Sequence, residues 1–454
     1  VVRLAGGTVG APAWCRALAR AAHLYSCSAK RDGYNVAHIE LRGPLEGLAV
    51  PQEEHRMTGK SARILSALLL VAAVALVSMP VAGDAQGKGT IKIATQSPLS
   101  GGQSALGEGI KLGTELGIEK FKGNLEKAGF KVQLVPFDDQ AKPDVGVANA
   151  KNIIADKDIM VVIGHLNSGV AIPSSEVYKE VNLAMVSPAN TNEKVTDRGY
   201  PNVNRVCGRD DVQGAVGAEF AATGLKAKTV YIIHDKTTYG QGVAEAFKND
   251  VEKKGVKVVA FEGTEEKSNF DPIVTPIKAK NPDLVYFGGI YDQGAPFFKQ
   301  AREKGVKSKF LGPDGMDSSD LVKIGGKAVV GMYYTTAAAP TSSAGAKAFV
   351  GEFKKKFSKN PEPYAAESYV ATAIAMKALE SATAGGKAPT RDAVTAAVRK
   401  VKYSGLTGTI EFDDKGDPKK ASYYVMQVAS DNPEKWSENK EAKRLAIAAP
   451  AAKK

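Results

Sequence analysis

The side chains able to do chemistry in this chain cluster in short polar stretches, each following an apolar run. Gly164-His165-Leu166-Asn167-Ser168-Gly169 follows residues 160–163, and Ser187-Pro188-Ala189-Asn190-Thr191-Asn192 closes the next run. Asp235-Lys236-Thr237-Thr238-Tyr239-Gly240 follows residues 229–234, and Gly288-Gly289-Ile290-Tyr291-Asp292 follows 284–287. Gly312-Pro313-Asp314-Gly315 comes after Phe310-Leu311. A serine that opens a helix offers its hydroxyl and free backbone N–H groups to an anion such as a carboxylate. Each stretch taken singly also fits plain structure: Ser168 as a helix cap, Asp314 as the middle of a Pro-Asp-Gly turn.

Catalysis finds no support. The chain has no Gly-x-x-x-x-Gly-Lys-Ser/Thr phosphate loop, no Gly-x-Ser-x-Gly and no His-Glu-x-x-His. Beyond residue 85 the histidines are His165 and His234, both at strand ends, and no local spacing completes a metal site around them. We therefore expect no catalytic residue, no metal and no cofactor.

The elements that must position these stretches alternate. Apolar, β-branched runs at 91–95, 132–137, 160–163, 184–187, 229–234, 256–261, 284–287 and 332–335 read as strands. Helical periodicity fills 108–120, 144–154, 213–223, 242–253 and 295–304 between them, then 365–382 and 390–401. Strands alternating with helices of this length imply right-handed crossovers and parallel sheets covered on both faces. The fold class is α/β, in two tandem units that divide near residue 208. In such sheets ligands bind beyond the carboxyl ends of the strands, where the polar stretches lie. Residues 409–412 and 423–427 read as a hairpin across the Asp413–Asp417 turn, and the Ala/Lys-rich end from Glu438 is expected to fray.

Charge and the first residues narrow the setting. The 61 Lys/Arg against 49 Asp/Glu give a net +12 spread along the chain, with no dense basic block interleaved with aromatics, so nucleic acid is not the expected partner. Lys354-Lys355-Lys356 fits a solvated helix face. Met57 to Arg63 is a short basic segment, residues 64–77 an apolar run, and Pro80 with Gly83-Asp84-Ala85 a break and a small-residue cleavage site. That layout is a secretory signal peptide over 57–85, too short in its apolar part to span a bilayer. Residues 1–56 read as an upstream extension holding Cys15 and Cys27, which leaves Cys207 as the one thiol after cleavage. Export to the periplasm follows as the expectation.

Several of these stretches are recognisable together. Val162-Ile163-Gly164-His165-Leu166, the Ser-Pro-Ala-x-Thr of 187–191, Ile233-His234-Asp235-Lys236 with Tyr239-Gly240, Tyr286-Phe287-Gly288-Gly289, Gly312-Pro313-Asp314-Gly315 and Asp414-Lys415-Gly416-Asp417 stand in the order and spacing of one family. Over about residues 90–430 the chain resembles the periplasmic leucine/isoleucine/valine-binding proteins of ABC transporters.

The resemblance implies two Rossmann-like lobes with parallel sheets, joined by three hinge crossovers and closing on a ligand. It implies a first lobe over 90–208 and 334–406, a second over 209–333 and 407–437, and a flexible tail over 438–454. It assigns Ser168 to the ligand carboxylate, and Ala189 and Thr191 to carboxylate and ammonium. Tyr239 closes over the ligand from the second lobe, and Asp314 pairs with the ammonium. Leu106 and Ile290 stand where relatives carry aromatics, so that wall becomes aliphatic, and Asn167 replaces a family cysteine at the pocket wall. The implied partners are a small amino-acid-like ligand and a permease in the inner membrane, with the protein itself a monomer. The alternative is a sensor of the same fold that binds an amide, urea or aromatic acid for a membrane receptor. The chemistry of a zwitterion agrees: buried in a closed cleft, its carboxylate needs donors and its ammonium an acidic acceptor.

Overall fold

The computed structural model describes residues 88–340 and 344–448; the expected signal peptide and upstream extension lie outside them. In the first lobe, β1 (Thr90–Ser97), β2 (Lys131–Asp138), β3 (Ile159–Gly164), β4 (Ala184–Ser187) and β5 (Val203–Arg205) form one sheet in the order β2-β1-β3-β4-β5. Every pairing in it is parallel. The period-two alternation of the strands explains why helices cover both faces. Ile91, Ile93, Val161, Ile163 and Val186 enter one core, while Ala94, Ile159, Val162, Met185 and Val203 enter the other. Helices α1 (Ser104–Phe121), α2 (Pro143–Ala155) and α3 (Ser168–Lys179) make the crossovers.

The second lobe repeats the logic. It contains α4 (Asp210–Glu219), β6 (Thr229–His234), α5 (Thr238–Lys253), β7 (Lys257–Gly263), α6 (Asp271–Lys280), β8 (Leu284–Gly288), α7 (Tyr291–Glu303), β9 (Lys309–Gly312) and β10 (Tyr333–Thr336). Val230, Ile232, Leu284 and Tyr286 face one core, and Tyr231, Ile233, Val285 and Phe287 face the other. The chain then returns to the first lobe through α8 (Lys347–Phe357), α9 (Ala365–Ala382), α10 (Arg391–Val398) and the hairpin β11 (Tyr403–Gly405) and β12 (Gly408–Ile410). It crosses once more to add β13 (Lys420–Gln427) and β14 (Lys440–Ala448) antiparallel at the sheet edge, giving β14-β13-β10-β9-β8-β6-β7.

Three crossovers thus join the lobes, at 206–209, from 337 onward, and at 411–419. In both sheets the strand order reverses where the polar stretches emerge: between β1 and β3 in one lobe, and between β6 and β8 in the other. Those reversals leave crevices at the carboxyl ends of the strands.

Three expectations need correction. Residues 409–412 and 423–427 do not pair as a hairpin; β12 pairs with β11, and only Phe412 bridges to Pro418. The reason is burial, since Ile410 and Phe412 pack into the first lobe's core, so that lobe extends past residue 406. The stretch expected to fray contains β14, whose backbone completes the ladder of β13. The return to the first lobe begins after Thr336, because β10 belongs to the second sheet. Among the described residues, no helix is long and apolar enough to cross a membrane.

Candidate functional site

Ser168 is the first residue of α3, behind Asn167 as the capping position. It is buried, and its hydroxyl accepts the Asn192 N–H at 3.3 Å rather than capping its own helix. Asn190 ties the two loops of this lobe together. Its Oδ1 accepts from the His165 N–H at 3.0 Å and the Ser187 hydroxyl at 2.7 Å, and its Nδ2 donates to the Leu166 carbonyl at 2.9 Å. Ala189 and Thr191 are thereby held beside Ser168. The Thr191 hydroxyl is buried without a hydrogen-bond partner.

The opposing lobe presents Asp314, the first residue of a short 3-10 turn after β9. Its carboxylate does not cap that turn. Oδ1 accepts from Gln213 Nε2 at 2.7 Å and the Tyr239 hydroxyl at 2.6 Å, and Oδ2 accepts from the Tyr364 hydroxyl. The Tyr239 oxygen in turn accepts the Gly315 N–H at 2.7 Å. Tyr239 belongs to the first turn of α5. The tight seating of that turn explains the glycines around it: a Cβ on Gly240 would lie 2.6 Å from the Gly288 carbonyl, and one on Gly288 would lie 2.4 Å from the Gly240 carbonyl.

Two sets of residues from different lobes close on one another. Leu106, Leu166 and Ala189 share a continuous buried cluster with Tyr239, Ile290 and Tyr364. Across the mouth, Asn192 Nδ2 donates to the Thr238 carbonyl at 3.1 Å and Gln103 Nε2 to Asp292 at 3.3 Å. Asn167 reaches this contact indirectly, donating to Gln103 Oε1 at 2.8 Å. Of the eight residues singled out from sequence, Leu106, Ala189, Tyr239 and Ile290 share that buried cluster, while Ser168, Asn167 and Asp314 are tied by hydrogen bonds to residues around it.

Sequence reasoning missed Tyr364, Gln213 and Asp210. Tyr364 stands at the start of α9, with φ at 68°, a left-handed conformation uncommon for a tyrosine. Its hydroxyl reaches Asp314 from the far lobe. Gln213 and Asp210 come from the first turn of α4, just past the first crossover, where i and i+3 share a face. Burial pushes the carboxyls of Asp210 and Asp314 above the usual range, and Asp314's charge adds to the rise at Asp210. Cys207 is buried and free, and burial raises its thiol well out of the reactive range, which suits packing. Among the described residues, no cluster of His, Cys, Asp and Glu is arranged to hold a metal.

Comparison with known proteins agrees with this architecture. The family model described as periplasmic binding protein matches residues 90–433. The Leu/Ile/Val-binding protein homolog 2 of Brucella abortus is 33% identical over 338 residues, covering 74% of this chain and 90% of the relative. An amino acid binding protein of Pseudomonas aeruginosa is 34% identical over 340 residues, with coverages of 74% and 90%. The crystal structure of a leucine binding protein, LivK, from Thermotoga maritima superposes with a TM-score of 0.70 at 30% identity, over 78% of this chain and 98% of that one. The relatives are solute-binding proteins rather than enzymes, and this chain belongs to the periplasmic leucine/isoleucine/valine-binding protein family of ABC transporters.

Proposed function

We propose that the protein binds a small aliphatic amino acid between its lobes and delivers it, outside the cytoplasm, to an ABC-transporter permease. The observation that carries this reading is Asp314, a buried carboxylate facing a wall of donors on the opposite lobe. The Ser168 and Thr191 hydroxyls and the free N–H groups at the start of α3 suit a carboxylate; Asp314 and the Ala189 carbonyl suit an ammonium. Leu106 and Ile290 leave an aliphatic wall for the side chain. The ligand would bind first to the lobe of Ser168, Ala189 and Thr191, and Tyr239 and Asp314 would close over it. Closure draws its free energy from the ligand's differential affinity for the closed state, and the crossovers absorb the rotation.

Thermal melting of the purified protein against a panel of amino acids, amides and aromatic acids tests the reading. A ligand that binds only the folded state raises Tm by mass action. A rise with leucine, isoleucine or valine supports it. A rise confined to ligands lacking an ammonium refutes the amino-acid assignment. Uptake of the labelled ligand, lost when the chain is removed and restored when it is supplied, tests delivery.

A further inference from the structure

Asp314 has little acceptor capacity left for a ligand. Its Oδ1 already accepts two hydrogen bonds and its Oδ2 one, so a single lone pair remains of about four on a carboxylate. An α-ammonium carries three N–H donors, and a buried cation left short of acceptors is costly. The unspent acceptors lie one helix away. Both oxygens of Asp210 and the Oε1 of Gln213 are buried with no well-formed hydrogen bond, the Thr191 hydroxyl being the one donor near Asp210, and the two residues are only 0% and 1% exposed.

The backbone places these groups at the cleft. The Asp210 N–H donates to the Thr191 carbonyl at 2.9 Å, and the Gln213 amide already touches Asp314 through its Nε2. Burial and the Asp314 charge favour a neutral Asp210, the dipole of α4's first turn opposes them, and a ligand cation beside the carboxyl would favour its ionised form. Arg205, at the end of β5, spends its hydrogen bonds elsewhere: it donates to Asp417 at 2.6 Å and to the carbonyls of Asn190 and Asn192 at 2.8 and 2.9 Å. Asp314 and Glu193 raise the Asp210 carboxyl and Arg205 lowers it, so the group sits among charges of both signs.

We infer that Asp210, with Gln213 Oε1, completes the ammonium subsite beside Asp314, so that the protein accepts primary ammonium ligands and rejects N-methylated amino acids and betaines. The inference rests on the amino-acid reading above and deepens it. Each N-methyl group removes a donor and leaves one of these acceptors unmet. Affinity then falls roughly tenfold per methyl, the equivalent of a buried hydrogen bond to a charged group.

The test is calorimetric titration of the full chain with L-leucine and its N-methyl, N,N-dimethyl and N,N,N-trimethyl derivatives. A stepwise rise in Kd supports the inference. The Asp210→Asn variant should raise Kd for L-leucine on the order of tenfold and flatten the methylation series, whereas a purely structural role would weaken all four ligands equally. Equal binding of leucine and its trimethyl derivative by the unsubstituted chain overturns the inference while leaving the amino-acid reading intact. Failure to bind any primary amino acid overturns both. The methylation series needs no substitution, so a misfolded variant does not stall the test.

Discussion

Asp314 is a buried carboxylate held by three side-chain donors. Burial alone would favour its neutral form; the hydroxyls of Tyr239 and Tyr364 and the Gln213 amide oppose that by donating to the ionised carboxylate. Tyr364 contributes a single hydroxyl from the opposite lobe, so Tyr364→Phe removes one donor without opening a cavity. We expect Kd for L-leucine to rise about tenfold in that variant, with Tm nearly unchanged, as read by calorimetry and melting. A larger fall in Tm than in affinity would make Tyr364 a packing residue. Ser168, Ala189, Thr191, Tyr239 and Asp314 could be singled out in the sequence because each follows a strand within a recognisable motif. Tyr364 was not, because it reaches the cleft by a return through the far lobe that no local pattern announces. Asp210 and Gln213 were hidden in a helix whose polar face looks solvated until the crossover before it is seen to bury it.

At the scale of elements, the crossovers carry the most concentrated electrostatics in the fold. Arg205 at the end of β5 and Arg209 of the first crossover both donate to Asp417 of the third, at 2.6 and 2.7 Å. Arg205 is fully buried, and burial pushes the Asp417 carboxyl upward while the two guanidiniums outweigh it and hold it below its usual value. The turn chemistry of Asp413–Asp417 was correctly read, since Asp413 Oδ1 accepts the backbone N–H groups of Lys415, Gly416 and Asp417. Its partner was not. The turn docks on β5 instead of closing a hairpin: Arg205 N–H donates to the Gly416 carbonyl, and a Cβ on Gly416 would lie 2.2 Å from the Val203 carbonyl. Asp417→Ala leaves the Arg205 guanidinium buried without its acid, Arg209 keeping Asp197 and Asp211, and should cost about 3–5 kcal/mol, measured by denaturant unfolding. A loss below about 1 kcal/mol would place the pair with ordinary surface ion pairs. Strand alternation made the two sheets legible; the antiparallel edge of β13 and β14 was not, because β14 reads as an Ala/Lys tail until β13 offers it a ladder.

For the whole molecule, stability depends on the segments between lobes. Glu367, at the start of α9, accepts the Ala339 N–H of the second crossover at 2.7 Å, and burial raises its carboxyl to about 7. A buried acid raised in the folded state favours folding while protonated. That contribution is full below the unfolded value, about 4.3, and is lost as pH rises through the folded one. Glu367→Gln should therefore flatten the decline in unfolding free energy between about pH 4 and pH 7. A variant that follows the unsubstituted curve would show that Glu367 does not titrate in this range. The two-lobed plan itself was readable from alternating strands and helices, because period-two burial on both faces admits little else. The central claim, that the cleft pairs Asp314 with a ligand ammonium, is tested most directly by calorimetric titration with L-leucine and with 4-methylpentanoic acid, the same skeleton without the amine. The account predicts that leucine binds, that the deaminated acid binds at least about a hundredfold more weakly, and that Asp314→Asn erases most of that difference. Equal affinities for the two ligands, or an Asp314→Asn variant that still discriminates between them, would contradict it.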